Sequence, residues 1–369
     1  MKIGFDAKRV FHNTTGLGNY SRDLIRILAK FYPKSTYYLY NPKPKKVYRL
    51  ELTQSMHEVL PNTKFWKKYS SLWRQTAVLK QIKSDGVDVF HGLSGEIPRG
   101  LTKNKIKSVV TIHDLIFMRY PKLYSFFDRK IHFKKFKYAA KNANKVIAIS
   151  EQTKKDIITF LKIDPSKIEV VYQGCNNVFK EERSVIEKKE FLDKYKIPDT
   201  FLLNVGTIEE RKNALSIVKA VKEIDIPLVI VGRKTKYYTQ IENYIQKNNL
   251  ENKIYFLEGL TLKELSTVYQ LAEIFIYPSI FEGFGIPIIE ALFSKTPVIT
   301  SKEGVFPEAG GPNSLYVDPY NIKEMIEAIE LLLKSKNKKE EMVNKGFDFV
   351  QQFNDEIIAK KIKAIYKEL

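Results

Sequence analysis

The stretch FEGFGIPIIE, residues 281–290, places two glutamates eight positions apart around a Gly-Phe-Gly turn and a proline. Proline has a fixed φ and no amide hydrogen, which suits the first turn of a helix, so Pro287 predicts a helix running on through IIEALFSK, 288–295. Upstream, IFIYPS (274–279) is short and apolar on both faces, and downstream PVITS (297–301) repeats that character. A strand, a glycine turn, a helix and a second such strand make one βαβ crossover, and strands apolar on both faces belong to a parallel sheet covered on both sides. The amides of the turn and the positive end of the helix dipole favour an anion there. Glutamates repel phosphate yet accept hydrogen bonds from hydroxyls flanking it, so a diphosphate with a sugar at each end suits Glu282 and Glu290. An ordinary strand, turn and helix with one solvent-facing glutamate suits the same residues equally well.

The same rhythm extends in both directions. FLLNVGT (201–207), PLVIVG (227–232) and KIYFLEG (253–259) precede the central unit, separated by helical segments. Earlier, KIGFDA (2–7), TYYLYN (36–41), VDVFHG (87–92), SVVTIHDL (108–115), KVIAIS (145–150) and IEVVYQG (168–174) form a first series, with Ser150 set to cap the helix that follows it. Between the series lies a polar, helix-rich stretch, EERSVIEKKEFLDKYKIPDT (181–200). This pattern predicts an α/β protein of two doubly wound parallel-sheet, Rossmann-like domains facing a cleft. The expected N-terminal domain spans 1–175 and the C-terminal domain 176–352, with a last helix, 353–369, returning to the first. Ligands of such sheets lie beyond the carboxyl ends of the strands.

Length and composition agree with two folded domains, since 369 residues are many for one core and 44% are apolar. One cysteine, Cys175, excludes an internal disulfide framework and a cysteine-rich metal site, which fits a reducing cytoplasm. No signal peptide pattern opens the chain, and no apolar run approaches the ~18 residues of a membrane span, so a cytoplasmic protein, soluble or peripheral on the inner face of the membrane, is expected. The net charge of +20 is unevenly spread: residues 1–175 carry 34 Lys+Arg against 13 Asp+Glu, and the remainder is close to neutral. A one-sided surplus suggests that the first half faces a polyanion, such as anionic lipid or nucleic acid. Two basic-aromatic stretches, KFWKKYSSLWRQ (64–75) and LYSFFDRKIHFKKFKYAAK (123–141), suit a headgroup region, and equally suit core-packed helices with solvated lysines. No nucleic-acid module accompanies them.

Three further motifs fall at expected strand ends. TTGLGNYS (14–21) is a glycine loop before a helix expected from about Tyr20. A dinucleotide fingerprint needs a third glycine where Ser21 stands and an acid after the second strand, so nicotinamide and flavin chemistry are disfavoured. In NVGTIEERKN (204–213), Arg211 and Lys212 stand at the start of the next helix, where cations oppose the dipole unless an anion lies between. His113 closes the apolar strand SVVTI. No Asp-x-Asp and no metal-ligand spacing of histidines occurs, so no metal and no cofactor is expected, and Arg211, Lys212 and backbone amides are left to neutralise a diphosphate.

Taken together, GFDAKRV (4–10) with TGLGNY, VDVFHG, SVVTIHDLIFMRYP, VIAISEQTKKDI, VGTIEERKN, YPSIFEGFGIPIIEAL and TPVITS resemble the retaining GT-B glycosyltransferases of group 1, family 4, nearly end to end. The resemblance implies a nucleotide sugar held mainly by the second domain and a glycan or polyprenyl-linked saccharide acceptor held by the first. By position, Glu290 matches the ligand of the nucleotide ribose and Glu282 the contact to the donor sugar. Gly283, Phe284, Gly285 and Ile286 match the amides on sugar and phosphate, Arg211 and Lys212 the diphosphate contacts, and His113 the histidine near the donor sugar. Gly16 and Gly18 match the loop closing from the other side, and Thr207 stands where some relatives have an arginine. Catalysis is thus expected of Glu282, His113, Lys212 and Arg211, without metal, in surface polysaccharide synthesis, with GDP-mannose ahead of UDP-glucose or dTDP-rhamnose as donor. A GT-B epimerase or phosphorylase is the next reading, and a non-catalytic basic membrane- or nucleic-acid-binding protein the last.

Overall fold

The computed structural model describes residues 1–44, 47 and 49–369, which divide into two compact units: Met1–Gln173 with Asp355–Leu369, and Gly174–Asn354. In the first, β1 (Lys2–Asp6), β2 (Thr36–Tyr40), β3 (Met56–Val59), β4 (Val89–Gly92), β5 (Lys107–Ile112), β6 (Lys145–Ala148) and β7 (Ile168–Val170) form one sheet in the order β3-β2-β1-β4-β5-β6-β7. Every neighbouring pair is parallel, and the register places Phe5 opposite both Leu39 and His91. Ile3, Phe5, Val109, Val110, Val146 and Ile147 are fully enclosed, which is why these strands read as apolar runs with no alternation.

The helix Gly16–Phe31 covers one face and packs against the terminal helix Asp355–Lys367. Tyr366 from that helix reaches His91, whose Nδ1 lies 2.6 Å from the Tyr366 hydroxyl and whose Nε2 lies 2.8 Å from Thr111 Oγ1. The helix begins at Gly16 rather than near Tyr20 because Asn13 ends it: its side-chain oxygen accepts from the amides of Thr15 (2.9 Å) and Gly18 (3.0 Å). A Cβ on Gly18 would stand 2.1 Å from the Asn13 carbonyl oxygen, whereas one on Gly16 meets nothing within 4 Å.

The second unit holds β8 (Leu202–Val205), β9 (Leu228–Val231), β10 (Ile254–Leu257), β11 (Ile274–Tyr277), β12 (Val298–Ser301) and β13 (Leu315–Val317), parallel throughout in the order β10-β9-β8-β11-β12-β13. Strand order reverses between β1 and β4 in the first unit and between β8 and β11 in the second. Those are the points where loops from adjacent strands part in opposite directions and leave room for a ligand. The edge strands β3 and β13 were not legible as strands: MHEV places two polar residues side by side between two apolar ones, and LYV is too short to stand out.

The basic helix Phe126–Asn142 divides along its length. Ala139 and Ala140 are buried and Phe133 and Phe136 pack on the core, while Phe126, Phe127 and Ile131 are exposed, Phe127 to 76%. Its two readings, core-packed and surface-active, therefore apply to opposite ends. Among the described residues, no helix is long and apolar enough to cross a membrane.

Candidate functional site

The central constellation forms where β8 and β11 end side by side. After β8 the chain turns at Gly206, whose φ of +155° favours glycine, passes Thr207 and enters a short 3-10 turn, Glu210–Lys212. Asn213, in the left-handed conformation, then starts the helix Ala214–Lys222. After β11 come Pro278, Ser279, Ile280, Phe281 and Glu282, and then the glycine turn into the helix Ile286–Phe293, with Pro287 in its first turn. Gly285 at that start has φ +117°, so the turn depends on glycine there.

Backbone bonds join the two loops. The Ile280 amide donates to the Arg211 carbonyl (2.9 Å), the Ser279 hydroxyl oxygen lies 3.1 Å from the same carbonyl oxygen, and Asn213 Nδ2 donates to the carbonyls of Pro278 (3.3 Å) and Pro319 (2.7 Å). Arg211 also donates to the Phe281 carbonyl. Residues from two remote segments are thereby held in one rigid frame.

Within that frame Oε1 of Glu282 accepts from Lys212 Nζ at 2.6 Å, Arg211 Nη1 at 2.7 Å, the Ser279 hydroxyl at 2.8 Å and the Tyr277 hydroxyl at 3.0 Å. Lys212 Nζ also donates to Tyr277 (2.5 Å), and Arg211 Nη2 pairs with Glu209 at 2.7 Å. The side chains of Lys212 and Glu282 are 14% exposed and that of Arg211 21%. Burial pushes the Glu282 carboxyl up, but Lys212 and Arg211 outweigh it and hold it at about 2. Glu282 in turn keeps Arg211 firmly protonated despite its burial, and burial beside Glu282 pushes the Tyr277 hydroxyl well up. The cations before the Ala214–Lys222 helix thus already have an anion, and it is a glutamate of the protein. Lys212 has three N–H groups and, among the described residues, uses two on Tyr277 and Glu282, which leaves one donor for a ligand oxygen.

Glu290 lies one turn into the Ile286–Phe293 helix, half-buried, and its Oε2 accepts from the Tyr269 hydroxyl at 3.1 Å. The structure therefore brings together Thr207, Arg211, Lys212, Glu282, Gly283, Phe284, Gly285, Ile286 and Glu290 on the carboxyl edge of the second sheet. Sequence reading missed Tyr277 and Ser279, which orient Glu282, and Tyr269, which orients Glu290. A tyrosine and a serine closing the apolar run IFIYPS were the available signal.

In the first unit, His113 follows β5 and is 8% exposed. Its Nε2 donates to the Leu93 carbonyl at 2.9 Å and its Nδ1 faces Gln173 Nε2 at 3.1 Å, so both ring nitrogens are engaged. Burial, only partly offset by the Leu93 bond, holds it near 4, so the ring is neutral at pH 7. The Tyr20 ring packs edge-on at 4.5 Å, which joins His113 to the Gly16 and Gly18 segment. The Gly18 amide is already bonded to Asn13 and to the Thr15 carbonyl (2.9 Å). Among the described residues, no group of three or more His, Cys, Asp or Glu is placed to hold a metal ion.

Comparison with known proteins covers both units. Residues 14–177 match the family model described as Glycosyltransferase Family 4, and residues 187–349 match that described as Glycosyl transferases group 1. The O-antigen chain mannosyltransferase RfbU of Salmonella typhimurium is 33% identical over 224 residues, covering 60% of this chain and 59% of that protein. The O-antigen chain mannosyltransferase B of Escherichia coli is 25% identical over 394 residues, covering all of both chains. Among solved structures, sucrose-phosphate synthase from Thermosynechococcus elongatus superposes with a TM-score of 0.80 at 21% identity, covering 100% of this chain and 98% of that one.

Proposed function

Because the chain belongs to the group 1 and family 4 glycosyltransferases, with the two Rossmann-like domains of the GT-B architecture, we propose that it moves a hexose, with retention and without a metal, from a nucleotide sugar to a glycan or lipid-linked acceptor. The observation that carries this reading is the single Glu282 oxygen gripped by Lys212, Arg211, Tyr277 and Ser279 where β8 and β11 part. That arrangement presents two fixed cations and a fixed carboxylate beside the amino end of a helix, which is what a diphosphate joined to a sugar requires.

In the proposed reaction the acceptor hydroxyl attacks the anomeric carbon on the face from which the diphosphate departs. The bond from that carbon to the phosphate oxygen breaks, and the leaving phosphate takes the acceptor proton. Lys212 and Arg211 stabilise the charge that develops on it, together with the Gly283–Ile286 turn, while Thr207 lines the donor. Glu282 and Glu290 hold hydroxyls of the sugar and the ribose. His113, neutral and fixed at both nitrogens, serves as a positioning wall rather than a proton carrier. The closely spaced carboxylate pair of retaining glycosidases is not the pattern used.

Our proposed donor is GDP-mannose, ahead of UDP-glucose and dTDP-rhamnose, and the relatives named O-antigen chain mannosyltransferases support a mannosyl donor in surface polysaccharide synthesis. They do not favour an epimerase, a phosphorylase or a nucleic-acid-binding role. The exposed Phe126, Phe127 and Ile131, with Lys130 4.3 Å from the Phe126 ring, support docking of the N-terminal unit on an anionic membrane from the cytoplasmic side. Phe65, Tyr69 and Leu72 of the other basic-aromatic stretch are exposed as well. Thermal-shift titration with GDP-mannose, UDP-glucose, UDP-GlcNAc and dTDP-rhamnose tests the donor, because a ligand at ~100 Kd adds roughly 2.7 kcal/mol. Stabilisation by one of them is expected, and stabilisation by none at millimolar concentration defeats the reading.

A further inference from the structure

Polar side chains from four separate segments form an unbroken string of hydrogen bonds inside the first unit: Tyr366 of the last helix, His91 of β4, Thr111 of β5 and Tyr20 of the Gly16–Phe31 helix. The Tyr366 hydroxyl lies 2.6 Å from His91 Nδ1, His91 Nε2 lies 2.8 Å from Thr111 Oγ1, and Thr111 Oγ1 lies 3.1 Å from the Tyr20 hydroxyl. His91 and Thr111 are fully enclosed, Tyr366 is almost so, and Tyr20 is half-buried. Phe5 packs against the His91 ring at 5.9 Å, so the string runs through apolar core. Burying three hydroxyls and an imidazole there carries a desolvation cost that Phe, Leu and Val would avoid. A fully bonded polar string, unlike an apolar filling, specifies one arrangement of the segments that supply it.

The hydrogens of this string run one way. Burial, with His113 adding to the effect, holds His91 near 3, so its ring is neutral at pH 7 and carries a single N–H. Three hydroxyls and one N–H supply four hydrogens for three contacts. Among the described residues these groups have no other side-chain hydrogen-bond partner, so one O–H stays unpaired within the string. An unpaired O–H costs most where the group is fully enclosed, which places it on Tyr20 rather than on Tyr366 or Thr111. Tyr366 therefore donates to His91 Nδ1, His91 Nε2 donates to Thr111, and Thr111 donates to Tyr20. A hydroxyl of the last helix thus fixes His91 as the Nε2–H tautomer.

At the far end the Tyr20 ring meets the His113 ring edge-on, with centroids 4.5 Å apart and planes at 88°. Leu93 and Gln173 hold the two His113 nitrogens, and Tyr20 adds a contact to the ring itself. We propose that Tyr366 is a positioning residue for His113, acting through His91, Thr111 and Tyr20. The consequence for sugar transfer rests on the glycosyltransferase reading above, whereas the string stands on the hydrogen bonds of this unit alone.

Long-range proton–nitrogen correlation spectra of the full chain, labelled on its five histidines, test it. His91→Gln and His113→Gln assign the two signals. In the parent, His91 is expected on Nε2–H at pH 7. Tyr366→Phe deletes only the hydroxyl, and should bring His91 into exchange between tautomers and shift the His113 signals. Tyr20→Phe cuts the string at its other end, and should shift His113 while His91 stays on Nε2–H. With the donor picked out by thermal-shift titration, Tyr366→Phe should lower kcat by about tenfold and leave KM for the donor within about twofold. The spectra need no donor, so absence of transfer in the parent counts against the glycosyltransferase reading alone. His91 found on Nδ1–H in the parent, His113 signals unmoved in either variant, or kcat of Tyr366→Phe within about twofold of the parent overturns the proposal.

Discussion

Replacing Glu282 with glutamine keeps the shape of the side chain and removes the charge on which Lys212 and Arg211 converge. The carboxyl sits at about 2 against an ordinary value of 4.5, held there by those two cations against its own burial. At ~1.4 kcal/mol per tenfold change in proton affinity, that corresponds to about 3 kcal/mol of stability at neutral pH. Since the folded-state value is the lower one, this contribution is complete above about 4.5 and disappears as the pH falls through about 2. Glu282→Gln should therefore be about 3 kcal/mol less stable than the parent at pH 7, and the gap should narrow between pH 5 and pH 3. Urea unfolding followed by far-UV circular dichroism is the assay, because both tryptophans, Trp66 and Trp73, belong to the other unit and do not report this one. Inorganic pyrophosphate supplies the missing negative charge and should stabilise the variant more than the parent. A loss below about 0.5 kcal/mol at pH 7, or a gap that does not change with pH, would refute the reasoning.

Lys212→Ala should weaken binding of the nucleoside diphosphate of the true donor by roughly 10- to 100-fold, measured by calorimetry, since one charge-assisted bond is lost. Glu282→Ala should abolish transfer in a radiolabelled-sugar assay while nucleotide affinity stays within a few-fold. Gly18→Ala should cost about 1 to 3 kcal/mol by thermal melting, because its Cβ meets the Asn13 backbone, whereas Gly16→Ala should be nearly neutral. Phe126→Ser/Phe127→Ser should lower co-sedimentation with vesicles containing anionic lipid and leave the melting temperature unchanged, since both rings are exposed.

The fold was legible because parallel strands covered on both faces are continuous apolar runs, and eleven of the thirteen strands among the described residues read that way. The two that did not, β3 and β13, lie at sheet edges, where less burial means less pattern. Arg211, Lys212 and Glu282 stood out individually by residue type and by position at strand ends. Their mutual pairing did not, because Lys212 and Glu282 are 70 residues apart and meet only when β11 settles beside β8. Sequence order cannot reveal that adjacency. Tyr277 and Ser279 were hidden for a different reason, since a hydroxyl at the end of an apolar strand looks like ordinary core until its neighbours are known. The glycine loop was misjudged by four residues at the helix start because the capping group, Asn13, lies ahead of the TTGLGNYS motif.

A crystal structure with a bound nucleoside diphosphate is the most direct measurement of what this site holds. Diphosphate oxygens within about 3 Å of Lys212 Nζ and the Arg211 guanidinium, with ribose hydroxyls on Glu290, are the expected result. A diphosphate bound elsewhere, with Lys212 and Arg211 still directed only at Glu282, would contradict it.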